Sequence, residues 1–257
     1  MSAISEIDFA QPAGFRPLSL DLRIPHASDP PLVVFLHGGG WLRGSRKVFT
    51  PGIGDGRSFD RIVAAGFAVA SCEYRLSGEA RFPAQLDDVS AALGWLQAHG
   101  ADHGVDASRI VLWGVSAGAT LAALTGLRRD DVRGVVDWFG PSDLFAMADL
   151  DTGEPPAQTR EALWLGAPAP MVPDAARAAS PIAQVQAGAP PFHLSHGTAD
   201  EHVPFEQSAS FARTLRAAGV DVEFHPVDGG RHFWQGLDDT DPVFDRAIDF
   251  ALRVTAR

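Results

Sequence analysis

The run Ile110-Val111-Leu112-Trp113-Gly114-Val115-Ser116-Ala117-Gly118 passes without a break into the alanine-rich stretch Ala119-Thr120-Leu121-Ala122-Ala123-Leu124. Residues 110–113 form a short apolar run that fits a strand covered on both faces, and residues 116–127 read as the helix that follows. A residue at so abrupt a junction holds strained backbone angles, so the positions two away on either side must be small. Gly114 and Gly118 meet that demand, and Ala117 and Ala119 leave the turn uncrowded. Ser116 therefore reads as a nucleophile raised on a strand-to-helix turn, where helix N–H groups favour a developing negative charge. For the pentapeptide alone, the plain alternative is a serine N-cap.

A serine hydroxyl is a poor nucleophile until a base takes its proton, and that base needs a carboxylate to fix its tautomer. Two downstream segments supply them: His196-Gly197-Thr198-Ala199-Asp200 after the apolar run 192–195, and Gly229-Gly230-Arg231-His232-Phe233 after the run that ends near Val227. Both lie just past the C-terminal ends of expected strands, where open α/β sheets place their sites. Asp200 and His232 are thus the expected acid and base, with Glu201 and Asp143 as reserve acids and His196 and His225 read as structural. His26, His99, His103, His193 and His202 show no metal-ligand spacing, so neither a metal nor another cofactor is expected. Upstream, His37-Gly38-Gly39-Gly40-Trp41 follows the apolar run 32–36. Three glycines are costly to order and useful where backbone must approach a ligand, as when N–H groups are aimed at an oxyanion. Phosphate binding is the rival, but no Lys-Ser/Thr follows the glycines and the Gly-x-Gly-x-x-Gly spacing is missing.

Outward from these motifs, residues 67–72, 132–139 and 220–227 join 32–36, 110–113 and 192–195 as strands, alternating with helix-period segments. Leu18, Leu20, Leu22 and Ile24 alternate with polar neighbours, which predicts a half-exposed antiparallel strand at the sheet edge. Phe82, Leu86, Val89, Leu93 and Leu96 make one helical stripe, and residues 203–218 and 242–254 are further helices. No linker divides the 257 residues, so 1–257 reads as a single domain. Residues 141–191 hold nine of the 19 prolines, which predicts an irregular insertion with one short helix near 160–165, either a small lid or an ordinary long connection. A formal charge of −11 argues against a nucleic-acid partner. The lone Cys72 cannot form an internal disulfide and reads as a small buried residue. With no apolar leader and no run of membrane-spanning length, the expectation is a soluble, cytoplasmic protein without a membrane partner; a chain trimmed of a signal peptide would read the same.

Four blocks in order carry a resemblance: His37 to Trp41; Tyr74-Arg75-Leu76-Ser77-Gly78-Glu79 leading to Phe82-Pro83-Ala84-Gln85-Leu86-Asp87-Asp88-Val89; the Ser116 turn; and Gly197 to Pro204 with the His232 block. The chain resembles α/β-hydrolase serine esterases, in particular the feruloyl-esterase-like and acetyl-esterase branch related to hormone-sensitive lipase. That resemblance implies a mostly parallel eight-stranded sheet with helices on both faces and the order Ser116, Asp200, His232, 84 and 32 residues apart. It also implies an oxyanion hole from the N–H groups of Gly39, Gly40 and Ala117, with His37 supporting the loop. Only 17 residues precede Leu18, too few for a helix pair, so no large N-terminal cap is expected. The activity implied is hydrolysis of short-chain acyl esters of aryl, alkyl or sugar alcohols, with Trp41, Trp164 and Leu165 as pocket walls. An arylformamidase using the same triad is the alternative; the expected partner is a small-molecule ester, and a homodimer stays open.

Overall fold

Val33 and Phe35 bury themselves in one apolar layer while Leu32, Val34 and Leu36 bury themselves in another, so consecutive residues of one strand serve two cores. That is why the central strands read as unbroken apolar runs. The computed structural model describes residues 4–50 and 57–256. Among these, Ile4–Ala10 (β1), Leu18–Arg23 (β2), Pro31–Leu36 (β3), Ala68–Cys72 (β4), Asp106–Val115 (β5), Val132–Trp138 (β6), Phe192–Gly197 (β7) and Val222–Val227 (β8) form one eight-stranded sheet. Its order is β1-β2-β4-β3-β5-β6-β7-β8, antiparallel at β1–β2 and β2–β4 and parallel from β4 to β8.

The helices are Arg57–Ala64 (α1), Ala84–His99 (α2), Ala117–Gly126 (α3), Leu144–Ala148 (α4), Arg160–Leu165 (α5), Pro173–Ala178 (α6), Glu206–Ala217 (α7) and Asp241–Thr255 (α8). α2, α3 and α7 cover one face through Leu93, Leu121 and Phe211. α1 and α8 cover the other through Phe59, Ile62, Phe244 and Phe250. No described helix is long and apolar enough to cross a membrane. The α/β-hydrolase architecture is thus present.

Two expectations are corrected. The strand through Leu18, Leu20 and Leu22 is antiparallel, but it is neither half-exposed nor the edge, since all six of its residues are buried and β1 pairs outside it. Its polar alternates are met from elsewhere: Ser19 donates to Asp8 at 2.7 Å, Asp21 accepts from Arg46 and Lys47 at 3.0 and 2.8 Å, and Arg23 lies over the Phe59 ring. β1 leaves no strand pattern in the sequence because only Phe9 of its residues is buried. Residues 141–191 contain three short helices and two 3₁₀ turns, Ala169–Met171 and Pro181–Gln184, where one helix was expected. Pro173 and Pro181 open their elements, and a fixed φ is compatible with a first turn.

The chain leaves β3 toward β4 on one side and returns to β5 on the other, so the strand order reverses between β3 and β5. A crevice opens beyond the strand ends at such a point. Leu36 pairs with Gly114, which brings the glycine loop after β3 alongside the turn after β5.

Candidate active site

Ser116 stands at that crevice with φ 54° and ψ −123°, a conformation that costs an L-residue energy and persists only where the surroundings impose it. They do. A Cβ on Gly114 would lie 2.2 Å from Gly118 O, and a Cβ on Gly118 would lie 2.1 Å from Leu36 O. The Ser116 N–H is held by Trp138 O at 2.9 Å, and its carbonyl starts α3 by accepting from Ala119 and Thr120 N–H.

The loops after β7 and β8 bring an acid and a histidine to this serine. His232 Nε2 lies 3.1 Å from Ser116 Oγ, and His232 Nδ1 lies 2.6 Å from Asp200 Oδ2. Oδ1 of Asp200 accepts from the His202 and Val203 N–H groups, both at 2.9 Å. Burial alone would raise the Asp200 pKa, but its hydrogen bonds from His196, His232 and Val203 outweigh that and hold it far below the usual carboxylate range. An ionised Asp200 keeps the His232 proton on Nδ1 and leaves the Nε2 lone pair facing the serine. Burial also lowers the His232 pKa, with Asp200 working against it, so the ring tends to the neutral state a base requires.

His196 also reaches Asp200, 3.4 Å from the same Oδ2. Its Nε2 lies 2.9 Å from Val203 O and its Nδ1 accepts from Ser208 Oγ at 2.7 Å, so both nitrogens are spent inside the fold. His196 is a buttress of Asp200. The reserve acids are engaged elsewhere: Asp143 caps α4 and Glu201 pairs with Arg231 at 2.7 Å on the surface.

In the loop after β3, Gly39 and Gly40 have φ of 121° and 62°. Their N–H groups, and that of Ala117 at the start of α3, find no backbone acceptor among the described residues. His37 steadies the loop. Its Nδ1 donates to Gly38 O at 2.8 Å, Tyr74 OH donates to its carbonyl at 2.7 Å, and the two rings stack 4.3 Å apart. Burial pulls its pKa down to about 4, so it stays neutral and takes no proton.

The BD-FAE family model matches residues 20–215. The chain belongs to the BD-FAE family. Esterase LipC of Mycobacterium tuberculosis is 30% identical over 222 residues, covering 81% of this chain and 54% of LipC, so the chain spans about half the length of that relative. A truncated carbohydrate esterase from gut microbiota is 28% identical with a TM-score of 0.86, covering 100% of this chain and 97% of that one. The butyrate-bound Est2 esterase of the planctomycete Thermogutta terrifontis is 25% identical with a TM-score of 0.77, covering 98% and 94%.

In this BD-FAE chain a cavity of about 320 Å³ opens above Ser116 and His232, lined further by Gly39, Gly40, Phe49 and Phe233. Trp41, Trp164 and Leu165 were expected as its walls and do not line it. Trp41 and Trp164 are buried and stack on each other 4.1 Å apart, with Trp164 Nε1 donating to Gln85 Oε1 at 2.9 Å, so their surface is spent on packing beneath the loop. Leu165 is buried in the same core layer. The cavity residues that the sequence analysis does not single out are Arg43, Gly44, Ser45, Val48, Phe49 and Arg160. Arg160 was within reach: it precedes Trp164 by four positions, so both occupy one face of α5 and meet the neighbours Gly40 and Trp41.

Proposed function

We propose that this chain is a serine carboxylesterase that hydrolyses short-chain acyl esters through an acyl-enzyme on Ser116. The observation that carries the reading is the continuous relay from Ser116 Oγ through His232 to Asp200 at the floor of a cavity flanked by unpaired N–H donors. Ser116 Oγ adds to the ester carbonyl carbon as its proton passes to His232 Nε2. The carbonyl oxygen takes the negative charge and is met by the N–H groups of Gly39, Gly40 and Ala117. The tetrahedral centre collapses, the alcohol leaves with the proton from His232, and the acyl group stays on Ser116. Water then adds with His232 as base, and the carboxylic acid departs as Ser116 recovers its proton.

Family membership supports the ester chemistry, as does the esterase name carried by LipC. The butyrate bound to Est2 and the modest cavity support a short acyl group, since about 320 Å³ lies at the small end of ligand pockets, roughly 300–1,000 Å³. The test is a p-nitrophenyl ester series from acetate to decanoate on wild type and Ser116→Ala, with an N-formyl arylamine alongside. Wild type should peak by about butyrate, because a methylene left in water gains none of the ~0.8 kcal/mol of burial. Ser116→Ala should lose at least about a thousandfold in kcat. A kcat/KM that climbs through decanoate refutes the short-chain reading, and a formanilide that outperforms every ester moves the assignment to a formamidase.

A further inference from the structure

The cavity above Ser116 carries a charge pattern opposite to that of the chain. The protein bears 32 acidic and 21 basic side chains, yet the described residues that line this cavity include two arginines and no carboxylate. Several guanidinium groups are tied up elsewhere, Arg46 by Asp21, Glu6 and Glu73, Arg75 by Asp88 and Arg231 by Glu201, whereas Arg23 only lies over the Phe59 ring. Arg43 and Arg160 form no ion pair and no side-chain hydrogen bond among the described residues.

Both are seated by the loop proposed to stabilise the oxyanion. A Cβ on Gly40 would lie 2.3 Å from Arg160 Cδ, so the missing side chain there is what lets the Arg160 stem lie across the loop. Arg43 comes from the same turn: its N–H bonds Gly39 O at 3.2 Å, and a Cβ on Gly39 would lie 2.0 Å from Arg43 O. Arg43 is thus supplied by the loop itself and Arg160 by α5, and both of these exposed residues line the space above Ser116. A guanidinium fork matches a carboxylate in plane and spacing, and the charge-assisted bond is stronger than a neutral one.

Resting on the ester-hydrolase reading, we infer that Arg43 and Arg160 are specificity residues that select esters carrying a carboxylate. The substrate class is a half-ester of a dicarboxylic acid or an acylated hydroxy acid. Without the two arginines, such a substrate would be repelled by the −11 chain.

Two isosteric pairs test this at low ionic strength: 4-acetoxybenzoate against 4-acetoxybenzamide, with charge on the leaving group, and monoethyl succinate against ethyl succinamate, with charge on the acyl group. Each rate is normalised to alkaline hydrolysis of the same compound. The carboxylate should exceed its carboxamide in kcat/KM by roughly tenfold or more in at least one pair, and the pair that responds tells which side of the scissile bond faces the arginines. Raising the salt should shrink that ratio and leave the carboxamide rate alone. Arg43→Gln and Arg160→Gln should each lower the ratio by about tenfold, with Arg160→Lys retaining part of it. The ratio is read within each variant, so a general loss from misfolding cancels. Carboxamides that equal or outrun their carboxylates in both pairs, while still being hydrolysed, overturn the inference and leave the esterase reading intact. No turnover of any of the four, with p-nitrophenyl acetate also inert, overturns both.

Discussion

Gly39, Gly114 and Gly118 are fixed by backbone that leaves no space for a side chain, whereas residues 141–191 across the cleft are fixed by side chains driven into the fold. On the first side the constraints are contacts of 2.0 to 2.2 Å that any added Cβ would make with a carbonyl. On the second they are anchors. Trp164 fills the space between Trp41 and Phe82 and bonds Gln85, Gln207 Oε1 accepts from the Ser142 and Asp143 N–H groups at 2.8 Å, and Ser180 Oγ holds Leu144 N–H at 3.0 Å. A wall made of backbone admits one residue type at each position and leaves a motif in the sequence. A wall made of packed side chains accepts many combinations and leaves none.

Asp200 is held by two backbone N–H groups and two histidines. Asp200→Asn should lower kcat by about three to four orders of magnitude, since an amide no longer enforces the productive His232 tautomer. Steady-state kinetics with p-nitrophenyl acetate reads it, and a loss under tenfold would remove Asp200 from the relay. His196→Gln, by contrast, should leave most of the rate.

On the insertion side the largest effect belongs to Trp164→Ala, which empties a fully buried site and strands Gln85 Oε1. It should cost about 3–5 kcal/mol in urea unfolding. Next comes Gly118→Ala. Its Cβ meets the Leu36 carbonyl and not a flexible side chain, so the turn must move, at a cost on the order of 3 kcal/mol and with loss of activity. An alanine accepted there without change would show that the elbow is not sterically closed.

Smaller effects refine the contrast. Because burial lowers the His232 pKa and only the neutral ring can accept the serine proton, kcat/KM should rise with pH and level off, with its midpoint below the ordinary 6.5. A midpoint above 6.5 would mean that Asp200 outweighs burial. Gly94, inside α2, is a glycine that nothing requires: an added Cβ would find no atom within 4 Å. Gly94→Ala should raise stability by about 0.5–1 kcal/mol in the same urea assay, opposite in sign to Gly118→Ala.

The legible parts of the molecule follow the same division. The elbow at Ser116, the glycine loop after β3 and the candidates Asp200 and His232 were readable because each depends on a residue type that its backbone position or its chemistry demands. The central strands were readable because two faces to cover produce an unbroken apolar run. β1 was not, since an edge strand with one buried side chain resembles a polar terminus. Trp41, Trp164 and Leu165 read as walls of the cleft in the sequence because large apolar residues near a site look like pocket lining. Whether an aromatic ring faces a cavity or a neighbouring ring depends on which element crosses above it.

The sequence by itself determined the mostly parallel sheet, the succession of the expected strands along the chain and the short blocks that hold the candidate site residues, because these rest on local sterics and on periodicity within a single element. Only the tertiary structure decided that β1 closes the sheet, that His196 supports Asp200 while His232 faces Ser116, and that two unpaired arginines, not two tryptophans, border the cavity. Those facts turn on distances between residues as far as 120 positions apart, such as Gly40 and Arg160, and such distances are set by the packing of whole elements, which no local pattern records.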